Sequence, residues 1–155
     1  MYFTFLALLT SAGLAAGEPN MTHTAKGDFD VQMTPASEWP LEDGNNVRRV
    51  TLEKTYRGEL VATARGELLM AGAPVDGSAA YVGVEHVEGS LKGRTGTFVL
   101  AHKGVMQPGE QHLDITVVPG SGTGELAGLE GKVGIDIAEN GDHFYTFEFT
   151  LGEAR

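Results

Sequence analysis

Glu85 and His102 are the two side chains whose types and spacing could do chemistry. Each sits in a run where apolar residues alternate with others, Tyr81 to Val87 and Phe98 to His102, and alternation places residues of one parity on a common face of a strand. If the hairpin of residues 79 to 106 turns over the two residues Lys92-Gly93, Leu91 faces Arg94 and Glu85 faces Leu100. His102 then shares a face with Tyr81, Glu85, Val87, Phe98 and Leu100, and the Glu85 to His102 diagonal is about 7 to 8 Å. A four-residue loop, Lys92 to Thr95, sets the two directly opposite at roughly 5 Å. A loop of odd length separates them. An acid and an imidazole on an apolar face meet the condition for general acid–base work near neutral pH, because burial disfavours the charged form of each. The competing reading is a hydrogen bond that satisfies two half-buried groups, and both remain open. Placing Glu85 inward puts His86 outward.

Other chemistries find less support. The five histidines are His23, His86, His102, His112 and His143; none forms His-x-His or His-Glu-x-x-His, and His112 with Asp114 falls two ligands short of a usual catalytic metal site. No metal and no cofactor are expected. Ser78, Ser90 and Ser121 lack a Gly-x-Ser-x-Gly elbow. Without cysteine, disulfide frameworks, zinc ribbons, iron–sulfur clusters and thiol nucleophiles drop out. The glycine-rich run from Pro119 to Gly131 is followed by alternation, not by a helix with a lysine, so it fits close chain passage at a barrel rim better than a phosphate cradle. Aromatic and apolar side chains that could line a ligand site are Tyr56, Tyr81, Phe98 and Leu100, with Tyr56 or Tyr81 orienting a substrate. Trp39 is either a ligand platform or a plug sealing a hydrophobic end.

The elements that must hold these residues are strands. From Thr22 onward apolar alternation recurs, bounded by Gly, Pro, Asn and Asp, which marks an all-β chain. Phe29, Val31 and Met33 share one face of the first strand. Residues 35 to 46, with two prolines and Trp39, are expected to be an irregular crossing or lid. Val50, Leu52 and Tyr56 and then Leu60, Ala62, Ala64, Leu68 and Met70 form even-numbered stripes, and facing residues share a face only across an odd loop, expected as Arg57-Gly58-Glu59. Lys54 interrupts the first of those stripes, and the expectation is that its stem is buried while its amine snorkels outward. Val133, Ile135 and Ile137 meet Tyr145, Phe147, Phe149 and Leu151 across another odd loop at Asn140-Gly141-Asp142. These side chains form the strongest core signal.

The chain has 155 residues with 11 basic and 21 acidic side chains, a net charge of −10. One domain, residues 21–155, fits that length. The charge and the lack of a basic run exclude nucleic-acid and anionic-membrane binding. Residues 1–20 are set apart as a leader. Met1 to Gly17 carry no charge and end in Ala15-Ala16-Gly17, which suits a signal peptide, but no Lys or Arg precedes the apolar stretch. The other reading has Met21 as the true start. It makes the protein cytoplasmic; a signal peptide would make it secreted. The apolar part is shorter than the roughly 20 residues that a spanning helix needs.

The run Tyr81-Val82-Gly83-Val84-Glu85, then Gly89, Leu91, Gly93-Arg94-Thr95-Gly96-Thr97-Phe98-Val99-Leu100 and His102, followed by Gly122-Thr123-Gly124-Glu125-Leu126-Ala127-Gly128-Leu129-Glu130-Gly131, resembles the bacterial domain of unknown function 3224. The likeness extends from Met21 to about Leu151. The glycine-rich piece is also similar to a segment of allene oxide cyclase and dirigent barrels, with Leu126 where those have an aromatic. The resemblance implies an antiparallel β-barrel of about eight strands. Because the resembled family is uncharacterised, three functions stay in view. The leading one is a barrel holding a small apolar or aromatic molecule, with Ala62, Ala64, Gly66 and Gly83 leaving room. The second is a cyclase or isomerase using Glu85 and His102 as acid and base. The third is an oligomeric structural or interaction module whose outer patch is Val82, Val84, Val99 and Ala101, as a homodimer or trimer.

Overall fold

The computed structural model describes residues 21–152; the leader assignment lies outside them. Alternation runs through eight strands: β1 (His23–Pro40), β2 (Asn46–Gly58), β3 (Leu60–Gly72), β4 (Ala79–Leu91), β5 (Arg94–Gln107), β6 (Glu110–Val117), β7 (Leu129–Ile137) and β8 (His143–Leu151). Each is antiparallel to the next, and β8 pairs with β1 to close an up-and-down barrel. With one parity of each strand facing inward, apart from a reversal late in β1, closure gives a single interior and leaves outward residues to solvent.

The lower end of the barrel carries the tight turns at Glu59 and at Lys92-Gly93 and is packed solid. Phe98 and Phe147 lie with ring centroids 5.7 Å apart, and Phe147 and Phe149 5.3 Å apart. Leu91, Leu126 and Leu129 are buried with them. Leu126 comes from a 3₁₀ turn, Gly124–Leu126, that folds across β5. There the Thr123 N–H donates to Thr97 O at 2.8 Å and the Thr95 N–H donates to the Glu125 carboxylate at 2.9 Å. The glycine-rich run is this crossing: a Cβ on Gly96 would stand 2.1 Å from Thr123 O, and one on Gly122 2.0 Å from Leu126 O. Only glycine lets the chains pass so closely.

Hairpin parity holds at three of the turns, and the register itself at two of them. Leu91 faces Arg94 across Lys92 (φ 48) and Gly93 (φ 84), the double positive φ of a type I′ turn. The Asn140-Gly141-Asp142 hairpin keeps odd parity, with Val133 opposite Phe147 and Ile135 opposite Tyr145. The turn after β2 is odd but centred on Glu59, with Tyr56 opposite Ala62. The loop Arg57-Gly58-Glu59 would have put Tyr56 opposite Leu60, so the true register is displaced by two residues. The displacement arises because Arg57 and Gly58 continue β2 through pairing with Asp28 and Gly27 of β1. Residues 35 to 46 also differ from expectation. β1 continues to Pro40, and its register shifts between Pro35 and Ser37, so the irregular part shrinks to residues 41–45.

Toward the upper end the interior opens. Val31, Met70, Tyr81, Met106, Leu113 and Ile135 have inward parity yet are only partly buried, while Met33 and Ile137 are mostly exposed. The wall is least complete between β6 and β7, which share one register pair among the described residues, Thr116 with Lys132.

Candidate functional site

Midway along the barrel, three interior positions carry charged or ionisable side chains in place of apolar ones. They are Lys54 on β2, Glu85 on β4 and His102 on β5, with relative exposures of 6%, 0% and 7%. Tyr56, at 3%, joins them from β2. The Glu85 carboxylate is the hub. Its Oε1 accepts from the Tyr56 hydroxyl at 2.7 Å, and its Oε2 accepts from Lys54 Nζ at 2.9 Å. Lys54 Nζ also donates to the Tyr56 hydroxyl at 3.2 Å, and it lies 4.9 Å from the centroid of the Phe29 ring. His102 Nε2 is 2.8 Å from Glu85 Oε2, but the oxygen lies off the N–H axis, so this buried nitrogen has no aligned acceptor.

Strand register explains how these groups meet. Glu85 pairs with Leu100 and His102 with Gly83, the diagonal arrangement of the two-residue turn. Lys54 must reach Glu85 across the intervening β3, where it faces Ala64 and where Gly66 faces Glu85. Small residues on β3 therefore make way for long polar side chains from β2. They do not leave a void: a Cβ on Gly66 would meet Val84 O at 2.2 Å, and one on Gly83 would meet Glu67 O at 2.3 Å. The room expected at Ala62, Ala64, Gly66 and Gly83 is taken by close strand approach and by the polar cluster. Above it, the Tyr81 ring lies against Gly104, where an added Cβ would stand 2.2 Å from Tyr81 Cε1; such covering of a glycine by a cross-strand aromatic stabilises sheets.

Electrostatics assigns the roles. Burial pushes the Glu85 carboxyl up, but the His102 contact and the Lys54 charge outweigh it and hold the group down at about 2. Burial, and then the Glu85 charge, push the Tyr56 phenol well above its usual range, and Tyr81 is shifted upward for the same two reasons. Glu85 is thus an ionised anchor and Tyr56 a neutral donor.

The sequence-derived candidates distribute unevenly around this cluster. Glu85, His102 and Tyr56 are in it and Tyr81 stands nearby, half-buried in the upper interior. Phe98 and Leu100, each 1% exposed, belong to the packed core. Trp39 does not approach the cluster. The register shift at Ala36 reverses the parity of β1, so Trp39 pairs with Val47 on the outward side and is 44% exposed. Lys54 was expected to snorkel; it is instead an interior cation, because Glu85 supplies the counter-charge. Its signal was a lysine in one apolar stripe matched by a glutamate in another. At the exposed edge of β6, His112 Nε2 contacts Glu110 at 2.8 Å.

A closed eight-strand barrel with one buried ionic cluster defines the class of protein. The chain matches the family described as "Protein of unknown function (DUF3224)" over residues 25–149. It is also similar to a crystal structure, at 1.84 Å resolution, of a protein with unknown function from the DUF3224 family of Shewanella oneidensis MR-1. The identity is 46%, the match covers 85% of this chain and 99% of that one, and the TM-score is 0.80. The chain belongs to the DUF3224 family. No curated protein matches it.

Proposed function

We propose that the barrel holds a small, largely apolar molecule in its upper interior, with the ionic cluster as the floor. One observation carries this reading. Glu85 is fully covered, whereas His102 and Lys54 keep 7% and 6% exposure beneath the partly exposed inward side chains of the upper strands. A purely structural core has no need of buried ions, since well-packed apolar residues of similar volume are often as stable or more so. Concave, mostly apolar sites with few convergent polar groups are the usual form of small-molecule pockets. Titration with Nile red tests the reading. Saturable fluorescence that Met106→Trp abolishes, with Val84→Lys on the outer wall as the unaffected control, is the expected result; absence of saturable binding overturns it.

The enzymatic alternative, a cyclase or isomerase, changes its assignment of roles. A carboxylate held near 2 is a poor base at neutral pH, since efficient acid–base groups titrate near the working pH. Proton transfer would fall to His102, with Glu85 orienting it.

A second reading, self-association, rests on the outer wall. Val82 and Val84 are 52% and 54% exposed and Leu69 is 46% exposed. They are flanked by the mixed-sign pairs Arg49–Glu67 and Arg65–Glu53. Such a patch can meet its own copy about a two-fold axis without like-charge repulsion. Val82→Lys with Val84→Lys should convert a light-scattering dimer to a monomer with stability changed by less than about 0.5 kcal/mol. A wild-type monomer at micromolar concentration ends this reading.

A further inference from the structure

Three of the four clustered side chains are hydrogen-bonded to one another. Glu85 accepts at both oxygens, and the Tyr56 hydroxyl donates to Glu85 while accepting from Lys54. Lys54 is divided between Glu85, Tyr56 and the Phe29 and Tyr56 rings. His102 differs. Its imidazole is more than nine-tenths buried, and apart from the out-of-line 2.8 Å contact of its Nε2 with Glu85 Oε2 it has no hydrogen bond to a described residue. A buried ring nitrogen that is poorly paired destabilises its surroundings, and a guest that supplies an aligned partner offsets that loss.

The charges around His102 limit what the guest can be. Tyr56 and Tyr81 are uncharged neighbours, Lys54 is neutralised by Glu85, and the ionised Glu85 oxygen stands 2.8 Å from the imidazole. An anionic guest at His102 would bring a second negative charge against Glu85 with a single ammonium to share. A cationic guest would compete with Lys54 for Glu85. A neutral hydroxyl adds no charge and can either accept from an imidazole N–H or donate to an imidazole nitrogen. The partly exposed residues above, Met70, Tyr81, Met106, Leu113 and Ile135, suit an apolar or aromatic body.

We infer that His102 is the recognition residue of the interior site, and that the guest is a neutral apolar molecule carrying a hydroxyl, such as a phenol, bonded to its imidazole. This rests on the binding reading above and narrows it to a chemical class.

The test uses three probes with one apolar body: para-pentylphenol, para-pentylanisole and para-pentylbenzoate, measured by calorimetry on the full chain and on His102→Leu. The phenol should bind about tenfold tighter than the anisole, the effect of one hydrogen bond, and His102→Leu should remove that preference while leaving anisole affinity in place. Imidazole nitrogen shifts of His102 in the wild-type protein should move with the phenol and not with the anisole, which decides the matter even if the variant does not fold. Equal affinity for phenol and anisole, or tightest binding of the benzoate, overturns the inference and leaves the binding reading standing. Binding of none of the three, with no Nile red response, removes both.

Discussion

The lower and middle layers of one barrel are built on opposite physical terms. Below, Phe98, Phe147, Phe149, Leu91, Leu126 and Leu129 exclude water and contain no charge. Higher in the barrel, Lys54, Glu85 and His102 occupy equivalent inward positions. The lower layer gains stability from area removed from water and from aromatic contact. The middle layer must offset the desolvation of two ions through close pairing, and that return is small at best. A fold already sealed at one end by apolar packing does not need ions in its middle. The contrast assigns stability to the lower layer and is the ground on which recognition is proposed for the middle one.

Perturbing each layer breaks or sharpens that division. The largest effect is expected below: Phe147→Ala should cost about 3 to 5 kcal/mol in urea denaturation, and a loss under about 1 kcal/mol would show that the aromatic layer is not the stabilising one. Next comes the ion pair. Lys54→Met leaves Glu85 with an uncompensated buried charge and should cost about 3 kcal/mol, whereas Lys54→Met combined with Glu85→Leu should recover most of it. If the double variant is as unstable as the single one, the cluster is structural and the division fails.

The remaining effect is on the acid limb of the stability curve. Glu85 titrates at about 2 when folded against an ordinary 4.5. The folded state therefore binds fewer protons than the unfolded chain in that interval. The stability Glu85 contributes is fully present above about 4.5 and is lost as the pH falls toward 2, amounting to about 3 kcal/mol. Glu85→Gln should flatten that limb relative to wild type. An unchanged slope would mean that other carboxylates, such as the ion-paired Asp30 or Glu59, both held low by their basic partners, carry the acid sensitivity.

The same contrast explains what the sequence discloses. Parity alone sorts inward from outward positions, and the lower layer appears as uninterrupted apolar stripes such as Val133 with Phe147 and Phe149. The meeting of Glu85 with His102 follows from one tight turn, because β4 and β5 are neighbours joined by two residues. Lys54 is different. It lies on β2, and its partner is on β4, so the contact crosses a strand that hairpin arithmetic does not span. Closure brings such groups together, and closure is a property of the whole sheet. Trp39 misleads for a related reason: one extra residue near Ala36 reverses every later position on β1, and nothing in Pro35-Ala36-Ser37 announces it. The resemblance in the third hairpin and the glycine-rich crossing locates the family but brings no activity with it.

The sparse contact between β6 and β7 has a consequence for the life of the protein in a crowded solution. Two neighbouring strands whose register pairing is limited to Thr116 and Lys132 among the described residues form the seam of the wall at which a foreign strand can most readily pair, the first step toward aggregation. The side chains along this slit are His112, Asp114, Lys132 and Asp136, all exposed, and an intruding strand would have to accommodate each of them. Charge here guards a flank that hydrogen bonding leaves open.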